Sequence, residues 1–189
     1  MIKHFYYIRH GQSTANQQGV YGGSLPHIPL TELGIKQAEA AAKLMSAWGI
    51  NRIIASDLDR AQHTARIIAD GIKLDRQLIV TQPLLREENT GRMTGTPDVG
   101  FPVYLEYAAS GVDANAETPA DVAIRVQKFL TTLDQYDGET LLVVSHAGVG
   151  RVILSILTGE PMSDLARATI PNCEPIELPL DRIDQEITL

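Results

Sequence analysis

The chain has 189 residues, a formal net charge of -7, 44% hydrophobic and 21% charged residues, and a single cysteine, Cys173. This length suits one domain, 1–189, with a sizeable core, and the composition excludes disordered, fibrous and repeat architectures. The acidic balance argues against nucleic acid or an anionic membrane as partner, so an anionic ligand must be held by local charge. The apolar stretches are too short to span a bilayer and the first residues lack the apolar core of a signal peptide. One cysteine allows no intrachain disulfide and fits a reducing compartment. A cytoplasmic protein is expected.

In chain order, Ile2 to Ile8 is β-branched and aromatic and predicts a buried strand that runs into Arg9-His10-Gly11. Glycine and proline mark 19–29 as a loop. Thr31 then caps a helix whose inner face is Ala38, Ala41, Ala42, Met45 and Trp48, with Gly49 as its stop. A second strand, Arg52 to Ser56, precedes a helix with Ala61, Thr64, Ala65 and Ile68 inward, and a third strand is expected near Leu78 to Thr81. The segment 96–117, rich in Gly, Pro and Ala and carrying Phe101, Tyr104 and Tyr107, reads as a lid excursion. Thr118-Pro119 opens a further helix, with Gly138 as its stop. Leu141 to Val144 is a continuous apolar run of the kind a central parallel strand shows, and a helix from Val149 to Ile156 follows it. A last short strand is expected within 175–180. This alternation predicts a three-layer α/β/α sandwich on a mostly parallel sheet.

Ligands of such sheets sit beyond the carboxyl ends of the strands. That rule gathers three turns: Arg9-His10, Ser56-Asp57-Leu58-Asp59-Arg60 and Ser145-His146. Two arginines and two histidines on one rim suit a phosphoryl group, because arginine grips its oxygens bidentately and imidazole can attack phosphorus. A zinc site on the two histidines lacks any cysteine or carboxylate at ligand spacing, and no metal or cofactor is expected.

With these motifs in place the sequence resembles the histidine phosphatase superfamily, which includes cofactor-dependent phosphoglycerate mutases. The resemblance rests on Ile8 to Ser13 with Asn16, Pro29 to Gly34 with Gln37-Ala38, and Ser56 to Ala61 with Thr64-Ala65. It extends to Leu85-Arg86-Glu87 with Gly91 and Gly95, and to Val144 to Gly148. His27, Asp57 and Ala116-Glu117-Thr118 depart from the family's pattern. The resemblance implies a nucleophilic His10 that forms a phosphohistidine, and a phosphate grip of Arg9, Arg60, His146, Asn16 and the Ala147 amide. It gives Glu87 the role of proton donor and then base. Glu88, next to it, is the other candidate.

Three functions are in play. The first is a metal-independent phosphomonoesterase acting on a small phosphorylated metabolite. The second is a phosphoglycerate mutase or sugar bisphosphatase, and the third a non-catalytic phosphate-binding member of the fold. No lysine or arginine lies between Arg92 and Arg125, where a second anionic group would need one, although Arg86 and Arg92 could supply such a grip. This favours the phosphomonoesterase.

Overall fold

The computed structural model describes residues 1–180. Its elements in chain order are β1 (His4–Arg9), α1 (Thr14–Gln18), α2 (Glu32–Met45), β2 (Arg52–Ala55), α3 (Asp59–Gly71) and β3 (Ile79–Thr81). They continue with α4 (Phe101–Ala109), α5 (Pro119–Leu130), β4 (Thr140–Ser145), α6 (Ala147–Thr158), α7 (Met162–Leu165) and β5 (Ile176–Glu177). The five strands form one sheet in the order β3-β2-β4-β1-β5, parallel except for β5 against β1.

Strand periodicity sorts the core into two halves. Phe5, Tyr7, Leu141 and Val143 point to one face and pack with Val126 and Phe129 of α5 and Val152 and Ile153 of α6. Tyr6, Ile8, Leu142 and Val144 point to the other and meet Ala38, Ala42 and Met45 of α2 and Ala65 and Ile68 of α3. Both faces are covered, which makes the architecture the expected three layers. β4 is buried at all six positions, as its unbroken apolar run requires.

The helix starts follow their capping chemistry. Thr31 Oγ1 accepts the Gly34 amide, and Thr118 and Asp121 form a reciprocal capping box with Pro119 in the first turn. The stops differ in places. α2 ends at Met45, so Trp48 lies beyond it, partly buried against the core. α5 ends at Leu130, and Gly138 closes a separate 3-10 turn over Leu133–Tyr136. The short α1, capped by Ser13 and Asn16, was not expected from periodicity because five residues are too few to show it.

The excursion 96–117 is more ordered than its composition suggested, since it contains α4. Tyr104, 1% exposed, joins Tyr21, Ala108 and Ala116 in a third small cluster. Its hydroxyl donates to the Glu117 and Asn89 carbonyls, and Tyr21 donates to Gly100 O at 3.0 Å. No helix among the described residues is long and apolar enough to cross a membrane.

Candidate active site

The middle of the parallel sheet sets the site. β4 lies between β2 and β1, and each neighbour's exit turn is tied to it: His10 donates its amide to Ser145 O and Ser56 to Val144 O, both at 3.0 Å. Ser145 Oγ in turn donates to Leu85 O at 2.7 Å, which anchors the loop carrying Glu87. The three turns read from the sequence therefore meet. His10, Arg60, Ser56 and His146 are all buried, and the two imidazole rings lie 5.1 Å apart at 61°.

His10 Nδ1 lies 2.7 Å from Gly11 O. A carbonyl only accepts, so Nδ1 carries the hydrogen and Nε2 keeps its lone pair. Arg60 Nε donates to that nitrogen at 3.2 Å. Burial, and then the charges of Arg60 and Arg9, hold His10 well below the usual histidine range, so it is neutral. Burial and Arg60 do the same to His146. Its Nε2 is 2.8 Å from Ser56 Oγ, its Nδ1 is buried without a partner among the described residues, and Tyr7 donates its hydroxyl to the His146 carbonyl.

The loop after His10 is fixed by close backbone packing. A Cβ on Gly11 would sit 2.3 Å from Gly34 O, and one on Gly34 only 2.1 Å from Gln12 O, so neither position admits a side chain. Gly11 donates its amide to Thr64 Oγ1 at 3.1 Å, and Thr64 donates to Arg60 O at 2.7 Å. Asn172 Nδ2 donates to the His10 carbonyl at 2.7 Å. Ser56 and Thr64 lay inside motifs quoted from the sequence but carried no assigned role. Asn172 had no local signal, because its contact spans 162 residues.

Arg60 differs from the expected phosphoryl grip. Its terminal nitrogens donate to Leu25 O at 3.0 Å and Gly23 O at 2.7 Å, leaving Nε toward His10. A buried guanidinium has five donors to satisfy, and backbone carbonyls take two of them. Burial lowers its pKa to about 10, which leaves it cationic at neutral pH. Arg9 donates to Ile170 O at 2.8 Å and keeps a buried Nε without a partner among the described residues. Asn16 Oδ1 accepts from both the amide and the hydroxyl of Ser13, each at 3.1 Å.

The amides at the start of α6 are shared out. Those of Gly148 and Val149 lie 3.4 and 3.3 Å from the Glu87 carboxylate, whereas that of Ala147 is not engaged by Glu87. A general acid works best with its pKa raised toward neutrality. Burial does push Glu87 up, but interaction with Glu88, the charges of Arg60 and Arg9 and the Gly148 amide outweigh it, and Glu87 is lowered. The raised group is Glu88, through burial and the neighbouring negative charge of Glu87. Arg86 is paired with Asp57, and His27 lies 3.0 Å from Asp59. Two of the departures from the family pattern thus have structural partners. Burial pushes the Cys173 thiol up to about 12, which removes it as a nucleophile.

Two neutral imidazoles and two buried or half-buried arginines at the carboxyl edge of a parallel sheet define a phosphoryl-handling α/β protein. The pattern of the histidine phosphatase superfamily (branch 1) matches residues 5–189, and the chain belongs to that family. It is 34% identical over 167 residues to the adenosylcobalamin/alpha-ribazole phosphatase of Salmonella typhimurium, covering 84% of this chain and 81% of the relative. It is 33% identical over 190 residues to a probable phosphoglycerate mutase of Yersinia pestis, covering 96% and 84%. Among solved structures, the alpha-ribazole phosphatase of Shigella flexneri superposes with a TM-score of 0.80 at 27% identity, covering 95% of this chain and 92% of that one.

Proposed function

We propose that this protein is a phosphomonoesterase that removes phosphate from a small phosphorylated metabolite through a phosphohistidine on His10. The observation that carries the reading is the fixed tautomer of His10: Nδ1–H on Gly11 O, and an unprotonated Nε2 beside Arg60 and opposite His146. In-line attack by Nε2 needs that lone pair and a cationic surround for the charge that grows on the phosphoryl oxygens. Arriving phosphate oxygens would compete with the Gly23 and Leu25 carbonyls for the Arg60 donors, and charge-assisted bonds to phosphate are the stronger. The unpartnered nitrogens Arg9 Nε and His146 Nδ1 and the Ala147 amide are further donors. Glu87 gives a proton to the leaving oxygen and then takes one from water.

Hydrolysis is favoured over mutase chemistry by a cleft of about 300 Å³ beside Glu87, lined by Ser24, Pro83, Arg86, Asn89, Glu117 and Arg125. Both of its arginines are already paired, Arg86 with Asp57 and Arg125 with Glu117. A leaving group with neutral polar atoms fits this lining better than one with a second anion, and relatives named as alpha-ribazole phosphatases support the same choice. The intact set of Arg9, His10, Arg60, Glu87 and His146 opposes a non-catalytic role. Turnover of p-nitrophenyl phosphate that persists in EDTA and is lost in His10→Ala is the expected result. Loss in EDTA, or an unchanged variant, would overturn the reading.

A further inference from the structure

The chemistry above leaves one buried ionisable group without a task. Glu88 is 7% exposed, and its Oε2 has no hydrogen-bond partner among the described residues. The carboxyl is wedged beneath the first turn of α6, where a Cβ at Gly148 would lie 1.9 Å from Oε2 and 2.6 Å from Oε1. The Glu87 carboxylate meets the same residue, lying 3.4 Å from the Gly148 amide, and it also accepts the Glu88 amide at 3.3 Å.

The two neighbours are served very unequally. Glu87 has the amides of Gly148 and Val149, the Glu88 amide at 3.3 Å, and the nearby charges of Arg60 and Arg9. Each of these favours the carboxylate, and a carboxylate has no proton to give. The Gly148 and Val149 amides go to Glu87 and not to Glu88. The titratable and charged groups around it are Glu87 in its own loop, Tyr7 on β1, Tyr21, Arg60 on α3, Tyr104 on α4 and Arg151 on α6. Arg151 is turned to other work, donating to Leu165 O and Ala168 O and lying 4.5 Å over the Phe101 ring. Burial without a close cation keeps Glu88 protonated while Glu87 is ionised.

We propose that Glu87 and Glu88 act as one unit, in which Glu88 is a positioning residue that stores the proton Glu87 delivers to the departing ester oxygen. The idea rests on the phosphohistidine reading above. As His10 Nε2 bonds to phosphorus, the ester P–O bond breaks with its electron pair on oxygen; the Glu88 proton passes to the Glu87 carboxylate, and from Glu87 to that oxygen. Two adjacent carboxylates then face the phosphohistidine, and their repulsion raises the pull on a water proton. When water oxygen bonds to phosphorus, the N–P pair returns to Nε2, the water proton goes to Glu87, and it passes back to Glu88.

The test compares phenyl phosphate with p-nitrophenyl phosphate, which share a shape but differ in how much the leaving oxygen needs a proton. Phenolate resembles tyrosinate, with a conjugate acid near pKa about 10, whereas nitrophenolate leaves readily unprotonated. Glu88→Gln keeps the shape and loses the transferable proton. Its loss of kcat on phenyl phosphate is expected to exceed that on p-nitrophenyl phosphate by about 10-fold or more, within the range of general acid catalysis. Glu88→Asp should restore much of that ratio and Glu88→Met should not, so the comparison survives if the Gln variant folds poorly. Equal losses on both esters, or none, would overturn the proton store. Activity surviving in His10→Ala would instead sink the phosphohistidine reading and the carboxyl unit with it.

Discussion

Gly34→Ala is a sharp test of how the nucleophile loop is held, because two effects pull in opposite directions. Gly34 sits in the first turn of α2, and alanine there should favour the helix by about 1 kcal/mol. The new Cβ, however, would stand 2.1 Å from Gln12 O, 2.8 Å from Gln12 N and 2.9 Å from Gln12 C. Gln12 cannot step aside freely: its carbonyl accepts the Thr31 amide at 2.9 Å and its amide donates to Gln37 Oε1 at 2.8 Å. Overpacking costs about 1–3 kcal/mol and each strained hydrogen bond about 1 kcal/mol. After the propensity gain is subtracted, a net loss of about 2–4 kcal/mol is expected, read as a lower urea midpoint with an unchanged slope. Because Gln12 follows Gly11, whose carbonyl sets the His10 tautomer, kcat/KM for p-nitrophenyl phosphate should fall about 10-fold or more. A variant as stable as the parent, or more stable, would refute the claim that backbone contact fixes this loop.

Other consequences follow from the same site. His10 and His146 are held neutral by the fold, below the free value of about 6.5, so the unfolded chain binds more protons as pH falls through that value. Their stability contribution is full above pH about 6.5 and is lost below it, by up to about 1.4 kcal/mol per pH unit for each; a flat urea series from pH 7 to 5 in Glu88→Gln, which lacks the opposing carboxyl, would contradict this. Glu88 has the opposite sign, since its raised pKa gives stability below its unfolded value of 4.5 that is lost as pH rises through the window above it. Glu88→Gln should therefore gain stability relative to the parent on going from pH 4.5 to 7, and a relative loss would refute the assignment. Ser56→Ala strips the partner from His146 Nε2 and leaves a buried imidazole with neither nitrogen bonded among the described residues. It should cost about 1–3 kcal/mol in urea unfolding, and a loss below about 0.5 kcal/mol would show that the bond matters little.

The parts of this account legible in the sequence were those that strand and helix periodicity dictate. Leu141 to Val144 read as a central strand, and the turns after β1, β2 and β4 placed Arg9-His10, Ser56 and Ser145-His146 at one edge. Other features depend on contacts between distant residues. Asn172 reaches the His10 carbonyl, and Gly34 meets Gln12, across separations that no local pattern records. The helix α4 was hidden because Gly100 and Pro102 mimic loop composition, while its stability comes from Tyr104 packing against Tyr21 and Ala116. Which of the paired glutamates keeps a proton was likewise invisible. That depends on Gly148 and Val149 presenting their amides to Glu87 and leaving Glu88 dry.

The central claim is that His10 carries the phosphoryl group during turnover, and rapid quenching with ³²P-labelled phenyl phosphate tests it most directly. A labelled protein is expected whose bond is labile in acid and stable in base, with the label mapped to His10 and absent from His10→Ala. Turnover with no labelled protein at any quench time, or with the label on another residue, would contradict it.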